Sequence, residues 1–289
     1  MLAHNLATLS GMGEAPHRRN GLTPPCDGET GWTRGAGAAY RRPMVDACFG
    51  HPRLAALYDP LDPDRGDLDA YLRMAEEFAA RRVLDIGCGT GVFALLLADR
   101  GIEVVGLDPA GASLEVARSR PGGERVRWIH GDATALPPLR ADLATMTANV
   151  AQAIVAPGGW RETLRRVHAS LRPGGRLVFE TRDPARRGWE EWNREDSYVA
   201  VDVPGVGVVE SWHEVTDVSL PLVTFRTTYV FAEDGEVLTS RSTLRFRERR
   251  EAEADLLAHG YVIDDVRDAP DRPGREFVFV ARRPGEGPG

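Results

Sequence analysis

Val83-Leu84-Asp85-Ile86-Gly87-Cys88-Gly89-Thr90-Gly91 is the stretch whose reading decides the fold of this chain. An apolar run from Arg82 to Ile86 feeds three glycines at alternate positions, and a second apolar run, Val92 to Ala98, follows at once. This predicts a strand, a tight turn and the exposed N-terminus of a helix. Glycine suits such a turn because a Cβ bars φ > 0 and holds a ligand off the backbone. A dinucleotide fingerprint reads G-x-G-x-x-G, its third glycine letting the helix pack on the strand beside a pyrophosphate. Here the spacing is G-x-G-x-G, position 92 is Val, and an acid, Asp85, precedes the first glycine. A carboxylate in that turn repels phosphate and welcomes an ammonium group.

This combination resembles the first motif of the class I S-adenosylmethionine-dependent methyltransferases. The resemblance covers roughly residues 54–283, is specific from 83 to 183 and is loose further on. It implies a Rossmann-like α/β fold with a seven-strand, mostly parallel sheet. It also implies that Gly87, Cys88, Gly89 and Gly91 cradle the methionine part of S-adenosyl-L-methionine, with Asp85 near its amino group.

Bulk properties narrow the alternatives. A chain of 289 residues suits an α/β fold that carries an insertion. The net charge of −7, with no long basic block, argues against a dedicated nucleic-acid or anionic-membrane binder. Three cysteines (Cys26, Cys48 and Cys88) lack metal or redox spacing, which suits a reducing cytoplasm. No apolar run reaches membrane-spanning length, and no apolar leader is evident. A homodimer is compatible with these properties.

Residues 1–43, rich in Gly, Pro, Arg and Thr without sustained period, read as a disordered extension. Met44 opens the first sequence that reads as folded, which makes it a candidate native start. Asp67 is expected to cap a helix that presents Leu68, Tyr71, Leu72, Ala75 and Phe78 on one face. Strand and helix patterns then alternate: strands at 103–107, 126–129, 142–147 and 176–179, helices at 111–118 and 160–171. Such alternation predicts a parallel sheet with helices on both faces, and a ligand beyond the carboxyl ends of the strands where their order reverses. From 198 to 248 the character changes to alternating strands, with Glu233-Asp234-Gly235 as a hairpin signal. The simplest organisation is a core at 44–197 and 249–283, an antiparallel β insert at 198–248 before the last helix, and a tail at 284–289.

Candidate site residues follow from strand ends. Asp108 closes the second strand, 21 residues after Gly87, where a carboxylate can accept two ribose hydroxyls; an Asp-Pro turn is the plainer role. The resemblance implies that Asp132, in Gly131-Asp132-Ala133, accepts the adenine amino group, with Pro109 and Ala133 as apolar walls of the purine. Tyr58, in the proline-punctuated loop 57–63, is carried towards the cofactor in many related enzymes. Asn149 is expected to touch the methionine moiety. Ala148 and Asn149 stand where nucleobase amino-methyltransferases have an Asn-Pro-Pro-aromatic tetrad, and no cysteine follows Cys88 to serve as a pyrimidine nucleophile. Both nucleobase readings lose ground on that comparison.

Glu180 and Arg182 leave the fifth strand where substrate contacts are expected, with capping or ion pairing as the alternative. Trp189 and Trp192 either wall a substrate pocket or pack the insert. His213, in the insert, is the candidate general base, since its unperturbed pKa is near neutrality. No metal-ligand spacing is evident. The resulting expectation is a methyltransferase acting on nitrogen or oxygen, less readily carbon, of a small molecule. An NAD(P)-dependent oxidoreductase and a non-catalytic cofactor-binding module stay open as rivals.

Overall fold

The computed structural model describes residues 45–285. The extension expected at 1–43, the start at Met44, Cys26 and most of the 284–289 tail lie outside the described residues.

Three short helices, α1 (Ala47–Gly50), α2 (Pro52–Ala55) and α3 (Tyr58–Leu61), lead into α4 (Asp69–Glu77). Then follow β1 (Arg82–Ile86), α5 (Val92–Ala98), β2 (Glu103–Asp108), α6 (Gly111–Ser119), β3 (Arg127–His130) and β4 (Ala141–Met146). Next come α7 (Val150–Ala153), α8 (Pro157–Ser170), β5 (Leu171–Arg182), α9 (Arg194–Ser197) and the insert strands β6 (Val199–Val203), β7 (Gly207–Ser219), β8 (Leu222–Phe231) and β9 (Val237–Arg245). The described chain closes with α10 (Arg249–Ala258), β10 (Val262–Asp268) and β11 (Glu276–Arg282).

The main sheet runs β10-β11-β5-β4-β1-β2-β3, with β11 antiparallel to both its neighbours. The order reverses between β4 and β1, directly below the glycine turn, which is where an open α/β sheet binds its ligand. Alternate residues of the central strands serve two cores. Leu84, Met146, Leu177 and Phe179 pack with Trp160 and Leu164 of α8 and Leu256 of α10. Val83, Leu143, Val178 and Val280 pack with Leu72 of α4 and Phe93 and Leu97 of α5. This two-sided burial explains why the strands read as continuous apolar runs rather than as strict alternation.

Several boundaries differ from the sequence reading, α8 for one beginning at Pro157, three residues before Trp160. The expected cap at Asp67 is absent: a 3-10 turn over Gly66–Leu68 precedes α4, and the Asp67 carboxylate pairs with Arg65 Nε at 3.3 Å instead. Strand β5 begins five residues before Arg176, because Leu171 already pairs with Ala141. Residues 172–175 form a bulge between that pair and Arg176 opposite Leu143. The bulge hugs β4, since a Cβ on Gly175 would stand 2.8 Å from the Ala141 carbonyl oxygen.

The insert is a separate antiparallel sheet, β6-β7-β8-β9. The β8–β9 turn holds Gly235 at φ 71°, and Asp234 accepts the Glu236 N–H at 3.0 Å. One face of the sheet is buried in two apolar clusters. At one end Val203, Val209, Tyr229 and Phe231 meet Cys48, Leu54 and Leu57 of the first helices. At the other, Val223 and Phe225 meet Trp189, Trp192 and Phe246. Arg247, 1% exposed, ties the insert to the core by donating to the carbonyls of Ala151 at 2.7 Å and Ile154 at 2.6 Å. No helix among the described residues is long and apolar enough to cross a membrane.

Candidate active site

The turn after β1 is pinned from below. The N–H groups of Gly87 and Cys88 both donate to the Leu107 carbonyl, at 2.7 and 3.2 Å, so the turn cannot lift off β2. Its three glycines serve different ends. A Cβ on Gly87 would come within 2.5 Å of Val150, and one on Gly91 within 2.6 Å of Trp128 and 2.9 Å of Ala117. Those two glycines are required by the fold. Gly89, at φ 54°, faces open space with nothing within 4 Å. Only here does the absent side chain leave a cradle for a ligand. Cys88 is buried, and its sulfur packs towards Gly106 of β2.

Asp85 is 1% exposed. Its Oδ1 accepts the Thr145 hydroxyl at 3.1 Å, while its buried Oδ2 has no partner. Burial, reinforced by the charge of Asp108, pushes its pKa up to about 7, against the lowering effect of the Thr145 bond. Asp108 is held by two backbone donors, Gly89 N–H at 2.8 Å and Ala110 N–H at 2.7 Å. Burial raises its pKa, and these two bonds oppose the rise. Each carboxylate oxygen has a second lone pair, so a diol can still be accepted.

Asp132 accepts the backbone N–H of Thr134 at 2.9 Å and so caps the short 3-10 turn Ala133–Ala135. Pro109 is exposed, Ala133 is buried, and His130 Nε2 lies 3.0 Å from the Pro109 carbonyl. Tyr58 stands edge-on to Phe49, with ring centroids 5.5 Å apart, and burial raises its hydroxyl pKa well above the usual value.

A bridge from the N-terminal helices to the glycine turn has no signal in the sequence. Thr90 donates its hydroxyl to Asp59 at 3.0 Å, and Arg120 binds both the Asp59 carboxylate and, at 2.8 Å, the Thr90 carbonyl.

Beyond β4, Ala148 and Asn149 both adopt left-handed conformations, φ 58° and 60°, and turn the chain over the end of β5. The Asn149 N–H donates to Glu180 Oε1 at 2.8 Å, and its side-chain amide donates to Glu276 at 3.3 Å. Asn149 Oδ1 is buried without a partner. Arg182 donates to Gln152 at 3.0 Å and lies 3.7 Å from Glu276, which also takes Arg272 at 2.8 Å. Burial and then the Glu276 charge raise the Glu180 pKa to about 8. Glu276, Gln152 and Arg272 were not among the sequence candidates, since only the antiparallel β11 brings Glu276 opposite Arg182.

In the insert, Trp189 and Trp192 are 4% and 3% exposed and are packed against Phe246 and Phe225. Trp192 also presents its ring to the Arg182 guanidinium at 5.5 Å, so it links the insert to the polar cluster. His213 lies on β7, its ring 3.0 Å from the Thr227 hydroxyl. Burial lowers its pKa to about 4. The ring is therefore neutral at working pH and a weak proton acceptor, which counts against the role expected from its unperturbed value.

A family described as a methyltransferase domain matches residues 83–175. A demethylmenaquinone methyltransferase from Clavibacter sepedonicus is 36% identical over 113 residues, 38% of this chain and 44% of the relative. A ubiquinone biosynthesis O-methyltransferase from Ruegeria pomeroyi is 31% identical over 150 residues, 51% of this chain and 55% of the relative. The chain thus spans only about half the length of these curated relatives. Among solved structures, a sugar N-methyltransferase from Streptoalloteichus superposes with TM-score 0.66 at 17% identity, covering 88% of this chain and all (100%) of the other. An amino pentose methyltransferase from Micromonospora echinaspora superposes with TM-score 0.59 at 24% identity, covering 79% of this chain and 95% of the other. At such identities these two show the fold alone.

Proposed function

We propose that the chain is a class I S-adenosylmethionine-dependent methyltransferase that methylates nitrogen or oxygen of a small molecule held between the insert and the carboxyl ends of β4 and β5. The observation that carries the reading is the pair formed by the partnerless Oδ2 of Asp85 and the open space at Gly89. A buried carboxylate oxygen without a donor awaits one, and a ligand ammonium beside a glycine backbone supplies it. The same acid disfavours the pyrophosphate of a nicotinamide cofactor.

Bound in this turn, S-adenosylmethionine supplies a methyl group on a cationic sulfur. Asp85 would hold its ammonium group, Asp108 its ribose diol, Asp132 its adenine amine, and Pro109 and Ala133 would border the ring. Tyr58 would border the same space from the first helices, and Asn149 would meet the end of the methionine part. The protein's main contribution is alignment of nucleophile and methyl carbon, worth about 7–11 kcal/mol where the attack geometry is near ideal. The insert, anchored by Arg247 and the two tryptophans, closes over the acceptor and excludes water.

The similar proteins include both O- and N-methyltransferases, and the proposal covers either acceptor atom. The test is methyl transfer from radiolabelled S-adenosylmethionine to a panel of glucosamine, cyclohexylamine, catechol and tyramine. Labelled product from at least one supports the proposal. Binding of adenosylhomocysteine with no product from this panel or a wider one of amines and phenols would favour a non-catalytic cofactor-binding role.

A further inference from the structure

We propose that Glu180, rather than His213, takes the proton from the acceptor's attacking nitrogen or oxygen. This rests on the methyltransferase reading and assigns the proton acceptor within that same site.

Asp85 pairs in register with Thr145, and Thr145 with Val178. Glu180 is two residues beyond Val178 on the same face, so it stands one step past the cofactor-facing acid, towards the carboxyl ends of the strands. The β4–α7 turn makes the link short. Val150 lies against Gly87 of the glycine turn, and the preceding residue, Asn149, donates its N–H to Glu180 Oε1 at 2.8 Å. Glu180 is 6% exposed, its Oε1 is fixed by that bond, and its Oε2 accepts no hydrogen bond from the described residues. One oxygen is anchored and the other is left for a ligand.

The charges around it separate two neighbouring carboxyls. Glu276 of β11 takes both cations, Arg272 at 2.8 Å and Arg182 at 3.7 Å, and its pKa is lowered by them against its burial. Among the described residues no cation pairs directly with Glu180; its burial, and after it the Glu276 charge, hold its proton until about pH 8 against the lowering effects of the Asn149 N–H and of Arg272. A buried carboxyl pair pushed apart in this way yields one fixed anion and one group able to exchange a proton near the working pH. His213, held neutral by its burial, is left as a hydrogen-bonding partner of Thr227.

The lone pair of the acceptor nitrogen or oxygen forms the bond to the methyl carbon, the carbon–sulfur bond breaks, and its electron pair stays on sulfur as the neutral thioether. The X–H proton passes to Glu180 Oε2, and the carboxyl later returns it to solvent.

The test is the pH profile of kcat/KM for methyl transfer to whichever of glucosamine, cyclohexylamine, catechol and tyramine turns over. A carboxylate acting as base gives activity that rises with pH to a plateau above about 8. Glu180→Gln should lose that limb and roughly 100-fold to 10,000-fold in rate, with adenosylhomocysteine affinity kept within a few-fold as the check on folding. Glu180→Asp should restore part of the rate and the limb. Glu276→Gln removes the opposing charge and should move the limb to lower pH, while His213→Ala should keep the limb in place. A limb that survives in Glu180→Gln, or vanishes in His213→Ala, overturns the proposal. Carbon-13 titration of glutamate-labelled protein bound to adenosylhomocysteine needs no acceptor. A carboxyl near pH 8 that disappears in Glu180→Gln supports the assignment, and a Glu180 signal titrating below pH 6 defeats it even where no acceptor turns over.

Discussion

Replacing Asp85 with Asn should flatten the pH dependence of cofactor affinity. In the unliganded protein the carboxyl is 1% exposed, with one oxygen bonded to Thr145 at 3.1 Å and the other bare. Burial first, and the Asp108 charge after it, lift its pKa from 3.8 to about 7. A raised folded-state pKa means that the folded protein binds the proton more tightly than the unfolded chain. The contribution to stability is therefore greatest below pH 3.8, falls as pH rises to about 7, and is flat above. Carried through the linkage relation, the whole fall is at most about 4 kcal/mol. An incoming ammonium group needs the ionised form, so affinity should track the ionised fraction, rising roughly 25-fold between about pH 5.5 and 7.5. The assay is calorimetric titration with adenosylhomocysteine across that interval. Asp85→Asn should bind more weakly and almost without slope, any residue reflecting Asp108, and the ligand-free variant should melt higher than the parent at pH 8. A parent affinity that is flat with pH, or an Asn variant that keeps the full slope, would refute the reasoning.

Other outcomes follow from individual contacts. Gly89→Val places a side chain in the open cradle and should abolish adenosylhomocysteine binding while the fold persists, the left-handed backbone adding about 1–2 kcal/mol of strain; circular dichroism with calorimetry separates the two effects. Gly91→Ala should instead lower the melting temperature, since its Cβ would press on Trp128 at 2.6 Å, with an overpacking cost of about 1–3 kcal/mol. Thr90→Val removes the donor to Asp59 and should cost about 0.5–1.5 kcal/mol, with faster amide exchange confined to the first helices and the glycine turn. Trp192→Ala empties a site flanked by Phe225 and Phe246; a loss of about 3–5 kcal/mol is expected, read as faster exchange in β7 and β8 ahead of β1 and β4.

Legibility in the sequence tracked the locality of the interactions. Strand β1, the glycine turn and α5 are set by neighbours within a few residues, and the apolar runs and alternate glycines announced them directly. The insert was legible for the same reason: alternating strands around Asp234-Gly235 specify a hairpin without outside help. What escaped was long-range. The Thr90–Asp59 bond joins residues 31 positions apart, and the Asn149–Glu276 contact joins residues 127 apart. Neither leaves a local pattern. Asp67 looked like a cap because the residue type suits one, yet Arg65 claims its carboxylate. His213 looked like a base because an isolated imidazole titrates near neutrality; the surroundings that lower its pKa come from the sheet formed around it. Glu180 is legible from its place at the end of β5, but its raised proton affinity comes from burial and then from Glu276, which only the final antiparallel strand brings alongside.

Titration of the purified protein with adenosylhomocysteine, with NADH in parallel, probes the central assignment most directly. Saturable one-to-one binding of the nucleoside thioether, lost in Gly89→Val, and no binding of NADH are predicted. A folded protein that ignores adenosylhomocysteine, or that prefers NADH, would contradict the assignment of the turn from Gly87 to Gly91.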